Sequence, residues 1–342
     1  MAFNHVSKDL NIGLNAFRIQ FDKTFITGQQ PYRRFNFTGR NLSNFGIYYG
    51  YNYKNAYLYG EMAKSTPGGM ALLNGLLISL SDKISASVLY RNYQKDYHNL
   101  FSQPPAESSY SNEKGWYMAL HFTPEKSWEL SLYSDFFSFP WLKFRVDAPS
   151  TGSEQVVKFR YVPSKRLQFQ LRASIKHKEE NSNEGSAPIQ YIEPVVKKLY
   201  QLDMDWKINP YWSWQGRIAI STYRKGFYPK EGGYLIFQDL LFKPAETRIS
   251  GNMRLAYFNS HSYNSRLYAY ENDVLYHFGL GLYNGRGFRT YINFRIQVFE
   301  KTNLWLRYAR FYYIDENQTS IGSDEISSPD KSEVKVQIRY QF

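Results

Sequence analysis

The feature that most restricts how this chain can fold is an alternation of apolar and polar residues that recurs along its length. It is cleanest in the final stretch, Glu333–Phe342, where Val334, Val336, Ile338, Tyr340 and Phe342 share one face and Lys335, Gln337, Arg339 and Gln341 the other. A strand of this kind has one face in an apolar medium and one in water. Elsewhere, Leu167, Phe169, Leu171, Ala173 and Ile175 oppose Gln168, Gln170, Arg172, Ser174 and Lys176. Tyr200, Leu202, Met204 and Trp206 oppose Gln201, Asp203, Asp205 and Lys207. Ile249, Met253, Leu255 and Tyr257 oppose Arg248, Ser250, Asn252 and Arg254, and Ile292, Phe294, Ile296 and Val298 oppose Tyr291, Asn293, Arg295 and Gln297. The sheet of a soluble protein alternates too, but its central strands are commonly apolar on both faces. No segment here reads that way.

The pattern divides into about 18 segments of roughly 9–13 residues, joined alternately by short and long connections, as in an up-and-down membrane barrel. Thirteen precede residue 260: Leu10–Phe21, Asn44–Tyr53, Ala56–Lys64, Met70–Leu80, Ile84–Lys95, Lys114–Thr123, Trp128–Phe139, Glu154–Val162, Arg166–Lys178, Lys197–Ile208, Trp212–Lys225, Gly233–Phe242 and Thr247–Phe258. Short turns such as Lys54-Asn55, Pro163-Ser164-Lys165 and Lys243-Pro244-Ala245-Glu246 separate them, with proline where a ladder has no use for it. Long loops cover Asp22–Ser43, Asp96–Glu113, Pro140–Ser153, Glu179–Val196 and Ile314–Ser332. Parity fixes the remainder. Both Lys243–Glu246 and Glu300–Asn303 are short turns and belong to one side, so an even number of strands must connect them. That requires a turn near Glu271-Asn272-Asp273 and an opposite turn at Gly285-Arg286-Gly287, giving strands Tyr263–Glu271, Val274–Asn284, Phe288–Phe299, Leu304–Tyr313 and Glu333–Phe342. The expected fold is all-β, an antiparallel up-and-down transmembrane β-barrel filling residues 1–342 as a single domain.

Composition supports this. Aromatic residues make up 18% of the chain, with 31 Tyr and 25 Phe, yet mean hydropathy is −0.55. Many side chains thus carry an apolar body and a polar tip, as the interfacial girdles of a barrel require. No run approaches the ~20 apolar residues of a membrane helix. There is no cysteine, which excludes disulfides and thiolate metal sites. The N-terminal Met1-Ala-Phe-Asn-His-Val is not a signal peptide, so an exported form has lost its signal or begins upstream.

Pro31-Tyr-Arg-Arg-Phe35, Tyr59-Gly-Glu-Met-Ala63, Ala71-Leu-Leu-Asn-Gly-Leu76 and Tyr90-Arg-Asn-Tyr-Gln-Lys-Asp-Tyr97, with Asn112-Glu-Lys-Gly115, Phe137-Ser-Phe-Pro-Trp-Leu-Lys143, Val146-Asp-Ala-Pro-Ser-Thr-Gly152 and Tyr283-Asn-Gly-Arg-Gly287, span most of the sequence. On these stretches the chain resembles a family of Bacteroidota outer-membrane proteins in which a helix-hairpin-helix region precedes a large C-terminal β-barrel. The resemblance implies a C-terminal portion of a longer protein and of a larger barrel. It links the family to DNA only through the hairpin-helix region, which is absent here, so that link reaches no residue of this chain. The ending resembles the terminal strand of bacterial outer-membrane barrels, which implies that Tyr340 and Phe342 form the signal read by the barrel-assembly machinery. Outer membrane is the expected location, with lipopolysaccharide and other envelope proteins as expected partners.

The charge, +12, recurs inside strands rather than in a tail. Arg91, Lys158, Arg160, Arg172, Arg217, Arg254, Arg295, Arg307, Lys335 and Arg339 all fall on polar faces. They form either an electropositive lumen for anions or a nucleic-acid strand, or a structural network with Glu129, Asp135, Asp203 and Asp205. The first long loop interleaves cations and aromatics at Tyr32, Arg33, Arg34, Phe35, Asn36, Phe37 and Arg40. It suits stacking on a nucleic acid or contact with lipopolysaccharide phosphates, or it simply rests near anionic lipid or in the lumen. Phe137-Ser-Phe-Pro-Trp-Leu142 reads as an outer aromatic girdle, with a partner surface or plug as the alternative. The six histidines show no ligand spacing, and no cofactor is expected. His98 beside Asp96, and His261 between Ser260 and Ser262, are the only hints of a hydrolase, and sequence neighbours do not make a triad. The expected function is therefore non-enzymatic, in transport or envelope assembly, with an outer-membrane hydrolase or a soluble all-β binding protein as alternatives.

Overall fold

The computed structural model describes residues 2–182, 190–245, 247–315 and 328–342. Glu246, in the expected turn after residue 242, and parts of the expected loops 179–196 and 314–332 lie outside the described residues. The chain divides into two compact units, one of residues 1–125, 129–157 and 175–196, the other of residues 126–128, 158–174 and 197–342.

The first unit opens with β1 (Ala2–Val6), which pairs with β2 (Leu10–Phe25) and has no counterpart in the expected strand list. An antiparallel meander follows through β3 (Gly39–Tyr53), β4 (Ala56–Thr66), β5 (Met70–Ser81), β6 (Ile84–Tyr93) and β7 (Glu113–Glu125), each strand paired with the next. β2 and β3 run beyond the expected ends, which shortens the first long loop to residues 26–38 and includes a 3-10 turn at Pro31–Arg33. β8 (Trp128–Phe139), β9 (Ser150–Ser164), β10 (Leu167–Asn181) and β11 (Ile192–Lys207) follow in the chain, the last three each divided between the two units.

The second unit contains β12 (Trp212–Lys225), β13 (Glu231–Phe242), β14 (Ile249–Ser260), β17 (Gly285–Phe299), β18 (Thr302–Tyr313) and β19 (Asp330–Tyr340), again antiparallel neighbours in that order. Here the expectation needs correcting. β14 pairs directly with β17, from Ile249↔Ile296 to Ser260↔Gly285. The expected strands 263–271 and 274–284 are instead the short β15 (Leu267–Glu271) and β16 (Gly279–Tyr283), a two-stranded sheet of their own. The turn near Glu271-Asn272-Asp273 is real, but it is the tip of an inserted hairpin rather than a turn between wall strands. Nor is 285–287 a turn, because β17 begins at Gly285, whose φ of 79° makes the corner. Removing two strands leaves parity intact, which is why counting did not expose the insertion.

Burial is inverted relative to a soluble sheet. On β14, Met253 and Leu255 are exposed while Arg254 is buried between them. On β19, Val334, Val336, Ile338 and Tyr340 are exposed, and Lys335, Gln337 and Arg339 are more covered. The expected faces thus hold, with the apolar residues on the outer side. The fully buried side chains include Arg91, Glu113 and Asp239.

Gly115 shows how tightly the polar face is built. A Cβ there would lie 2.7 Å from Arg91 Cζ and 2.7 Å from the Phe136 carbonyl oxygen. Gly115→Ala is expected to displace the Arg91 guanidinium and lower stability by about 1–3 kcal/mol, read as a lower urea midpoint of the refolded protein.

Candidate functional site

The β15–β16 hairpin is fastened to the polar face of the second unit by its acidic tip. Glu271 sits between two arginines of the wall. Its Oε2 is 2.6 Å from Arg289 Nη2 and 2.8 Å from Arg307 Nη2, and its Oε1 accepts from Arg289 Nε and the Tyr283 hydroxyl at 3.0 Å each. Two residues on, Asp273 Oδ2 is 2.9 Å from Lys335 Nζ and 2.8 Å from His277 Nδ1, while Oδ1 accepts from the Val274 N–H at 2.7 Å. The tip backbone is held as well. The Asn272 carbonyl accepts from Arg307 Nη1 and, at 2.8 Å, from Asn293 Nδ2, and the Asn272 N–H donates to the Tyr291 hydroxyl. Arg254, clamped on Asp239 through two bonds of 2.6 and 2.7 Å, donates Nη1 to the Tyr270 carbonyl at 2.8 Å. Five wall strands, β13, β14, β17, β18 and β19, thus grip one hairpin.

The other half of the hairpin is apolar. Leu267, Ala269 and Tyr283 are buried with Ala219, Leu235, Phe237, Ala256 and Phe258 of the wall. Phe258 meets Tyr283 edge-on, with ring centroids 5.5 Å apart, and meets Phe311 and Tyr313 likewise at 5.9 Å. Gly281 makes the approach possible, since a Cβ there would lie 2.6 Å from Glu271 Oε1. The sequence points to Arg254, Arg307 and Lys335 but not to their partners Asp239, Glu271 and Asp273, nor to Arg289, which shares Glu271 with Arg307. The available signal was Gly279 and Gly281 on the face opposite Leu280 and Leu282, a spacing that strips side chains from one side of a strand for close contact.

In the first unit Arg91, Glu113 and Asp135 form a comparable cluster. Arg91 Nε donates to Glu113 Oε1 at 2.6 Å, and its Nη atoms donate to both oxygens of Asp135 at 2.7 and 3.0 Å. Glu113 also accepts from the backbone N–H groups of Glu107 and Ser108, which ties down the loop 94–112. Three loops meet above it. Phe35 packs edge-on against Trp141 at 4.9 Å, Lys95 Nζ lies 4.0 Å from the Phe35 centroid, and Trp141 Nε1 donates to the Pro31 carbonyl. Lys143 Nζ stands 3.4 Å from the Phe139 ring centroid, and burial pushes this ammonium down to about 8.

The expected site residues therefore separate into groups. Arg91, Arg217, Arg254 and Arg307 are bound to carboxylates, Arg217 through Asp203. Arg295 donates to Asn303 Oδ1, and Arg172 and Arg339 have no ion-pair partner among the described residues. Tyr32 and Phe35 are spent on loop packing, with Tyr32 against Phe144 at 6.0 Å and Arg33 beside the Tyr32 ring. Arg34 and Arg40 stay exposed, Arg40 with a bond to Thr24. Tyr340 and Phe342 are exposed and meet edge-on. The aromatic girdle expected at 137–142 is corrected: Phe137 and Phe139 are buried, because alternation places them on the same face as Asp135, and only their neighbour Phe136 is exposed. His98 is buried against Phe37, which lowers its basicity, and the Ser65 hydroxyl beside it accepts from the His98 backbone N–H. Around His261, the Ser260, Ser262 and Ser265 hydroxyls are engaged in a helix cap, and the imidazole meets the Gly232 carbonyl. Among the described residues no cluster of ligands could hold a metal ion.

No family model matches the chain, and no curated protein matches it in sequence. Solved structures do match in fold. FpvA of P. aeruginosa with bound pyoverdine aligns over 100% of this chain and 55% of its own, with 11% identity and a TM-score of 0.52. The copper transporter OprC aligns over 98% of this chain and 70% of its own, with 10% identity and a TM-score of 0.50. Outer-membrane expressed OmpT of Vibrio cholerae aligns over 99% of both chains, with 9% identity and a TM-score of 0.39. The fold is that of outer-membrane β-barrels. The chain spans about half the length of FpvA.

Glu271→Ala leaves Arg289 and Arg307 buried without their shared carboxylate and is expected to cost about 3–5 kcal/mol, measured from urea midpoints. Burial alone would raise the Asp273 carboxyl, but Lys335, the Val274 N–H and Arg307 hold it below the ordinary aspartate range. Because the folded value is depressed, the stability from Asp273 is fully present above ~3.9, the unfolded value, and is lost as pH falls through the folded one. The difference in midpoint between wild type and Asp273→Asn should therefore shrink as pH falls below about 4.

Proposed function

We propose that the chain is an outer-membrane β-barrel protein without enzymatic activity, acting in transport or envelope assembly. The observation that carries this reading is the inversion of burial. Aliphatic and aromatic side chains cover the exposed face of strand after strand, while arginine, aspartate and glutamate are desolvated on the opposite face. In water the outer face would expose far more contiguous apolar surface than a soluble monomer tolerates. In a bilayer the same face is the stable one, and interstrand pairing satisfies the backbone. This argues against a soluble all-β binding protein.

A non-enzymatic role is supported by the engagement of the serines beside His98 and His261 with backbone and capping partners. The partners in this reading are outer-membrane lipid, including lipopolysaccharide, other envelope proteins, and the barrel-assembly machinery, to which exposed Tyr340 and Phe342 are offered. Membership of the Bacteroidota barrel family belongs to the same proposal. DNA enters only through the hairpin-helix region of that family.

The protein is expected to fractionate with the outer membrane and to migrate faster on gels unboiled than boiled. Recovery from the soluble periplasm without detergent overturns the reading. Leu255→Arg, on the exposed face, should lower folding stability in lipid vesicles by about 2–4 kcal/mol, whereas Arg339→Gln, on the polar face, should stay within about 0.5 kcal/mol.

A further inference from the structure

Beside the hairpin, on the polar face of the second unit, lies a pocket of about 200 Å³. Its volume equals the share of about seven water molecules, room for one small ring-sized solute. The wall contributes Gln168 and Gln170 from β10, Asp203 and Asp205 from β11, and Gln215 and Arg217 from β12. Arg254 and Tyr270 close it on the hairpin side.

Much of this lining is already satisfied. Arg217 holds Asp203, Arg254 holds Asp239, and the Gln168 carbonyl accepts from Arg160 at 2.8 Å. Three groups are left over. The Gln170 amide has no hydrogen bond among the described residues. Asp205 accepts from Gln215 through Oδ1 at 2.8 Å, and its second oxygen has no partner among them. The Tyr270 ring is half exposed and makes no ring contact among the described residues, because it is the Tyr270 backbone carbonyl that Arg254 uses. An unpaired amide, a half-used carboxylate and a bare aromatic face converge on one small cavity.

Arg217 is matched by Asp203, and Arg254 by Asp239 outside the lining, which leaves the Asp205 carboxylate facing the cavity without a cation of its own. Such a pocket disfavours an anion. Amide and carboxylate groups bond hydroxyls, and an aromatic face covers an aliphatic ring edge. We propose that this pocket binds a neutral sugar ring, with the Gln170 amide and Asp205 carboxylate bonding its hydroxyls and Tyr270 packing on its C–H face. The proposal rests on the barrel reading above for the route by which a sugar arrives, but not for the chemistry of the pocket.

The test uses the full chain folded in a detergent without a sugar headgroup, with gel mobility before and after boiling as the check on the barrel reading. Binding of glucose, galactose, maltose and sucrose is measured by saturation-transfer NMR and titration calorimetry, with glucuronate as the anionic ring analogue. At least one neutral sugar should bind about tenfold or more tighter than glucuronate. Tyr270→Ala and Gln170→Ala, each retaining the folded gel mobility, should each weaken that binding by about tenfold. The inference fails if the folded protein binds none of the neutral sugars, if glucuronate binds as tightly, or if both variants bind like wild type. If one variant does not fold, the other, together with Tyr270→Phe, which keeps the ring and should retain binding, decides the matter.

Discussion

The second unit depends on a desolvated carboxylate held between two guanidinium groups. Glu271, Arg289 and Arg307 are all nearly removed from solvent. Taking each ion out of water costs several kcal/mol, and attraction compensates only when geometry is good and the remaining polar atoms are bonded. Here the Tyr283 hydroxyl takes up Glu271 Oε1, while Asn293 Oδ1 and the Asn272 carbonyl take up Arg307 Nη1. Aromatic rings cover the cations, with Arg307 4.5 Å from the Tyr291 centroid and Arg289 4.2 Å from that of Phe311. Arg307 Nε keeps only long contacts to Asp273 and Glu333, at 3.6 and 3.5 Å. Such a cluster contributes little net stability but penalises any other placement of the hairpin, because a misplaced tip leaves buried charges unpaired.

This changes the meaning of the net charge. Read along the sequence, cations on polar faces suggest an electropositive surface. In space, Arg91, Arg217, Arg254, Arg307 and Lys335 are matched by acids from neighbouring strands or from the insertion. Arg91 takes Glu113 and Asp135, Arg217 takes Asp203, Arg254 takes Asp239, and Lys335 takes Asp273. The surplus sits at Arg172, Arg295 and Arg339 and at exposed loop and turn residues such as Arg34. Of the acids expected in a structural network, Asp135 pairs with Arg91 and Asp203 with Arg217. Glu113, Asp239, Glu271 and Asp273 were not among them, because ion pairing across strands depends on registers that a single sequence does not display.

Legibility follows the range of the interaction. Alternation is local, so the faces of β10, β11, β14, β17 and β19 were readable residue by residue. Turn chemistry is local too, and the turn at Glu271-Asn272-Asp273 was found. The failure was in assigning the segments around it to the wall. A hairpin packed on the polar face alternates with the same period of two as a strand exposed to lipid, and only its partners tell them apart. Tyr268 and Tyr270 are exposed as lipid-facing residues would be, while Leu267, Ala269 and Glu271 are buried against the wall. The stretch 137–142 misled for a related reason. A dense aromatic run suggests a girdle, but alternation divides it, sending Phe136 outward and Phe137 and Phe139 inward.

The insertion also has mechanical consequences for its surroundings. Tyr270 is held through its carbonyl by Arg254, and Arg254 is held by Asp239, so the position of the Tyr270 ring follows from a buried ion pair on β13 and β14 rather than from contacts of the ring itself. Phe237 lies between Arg254 and Arg217, 3.8 and 5.4 Å from their guanidinium carbons, and links that pair to the Arg217–Asp203 pair on β11 and β12. The chain of contacts from the hairpin tip to the half-used carboxylate of Asp205 therefore consists of charged and aromatic groups with little freedom to relax.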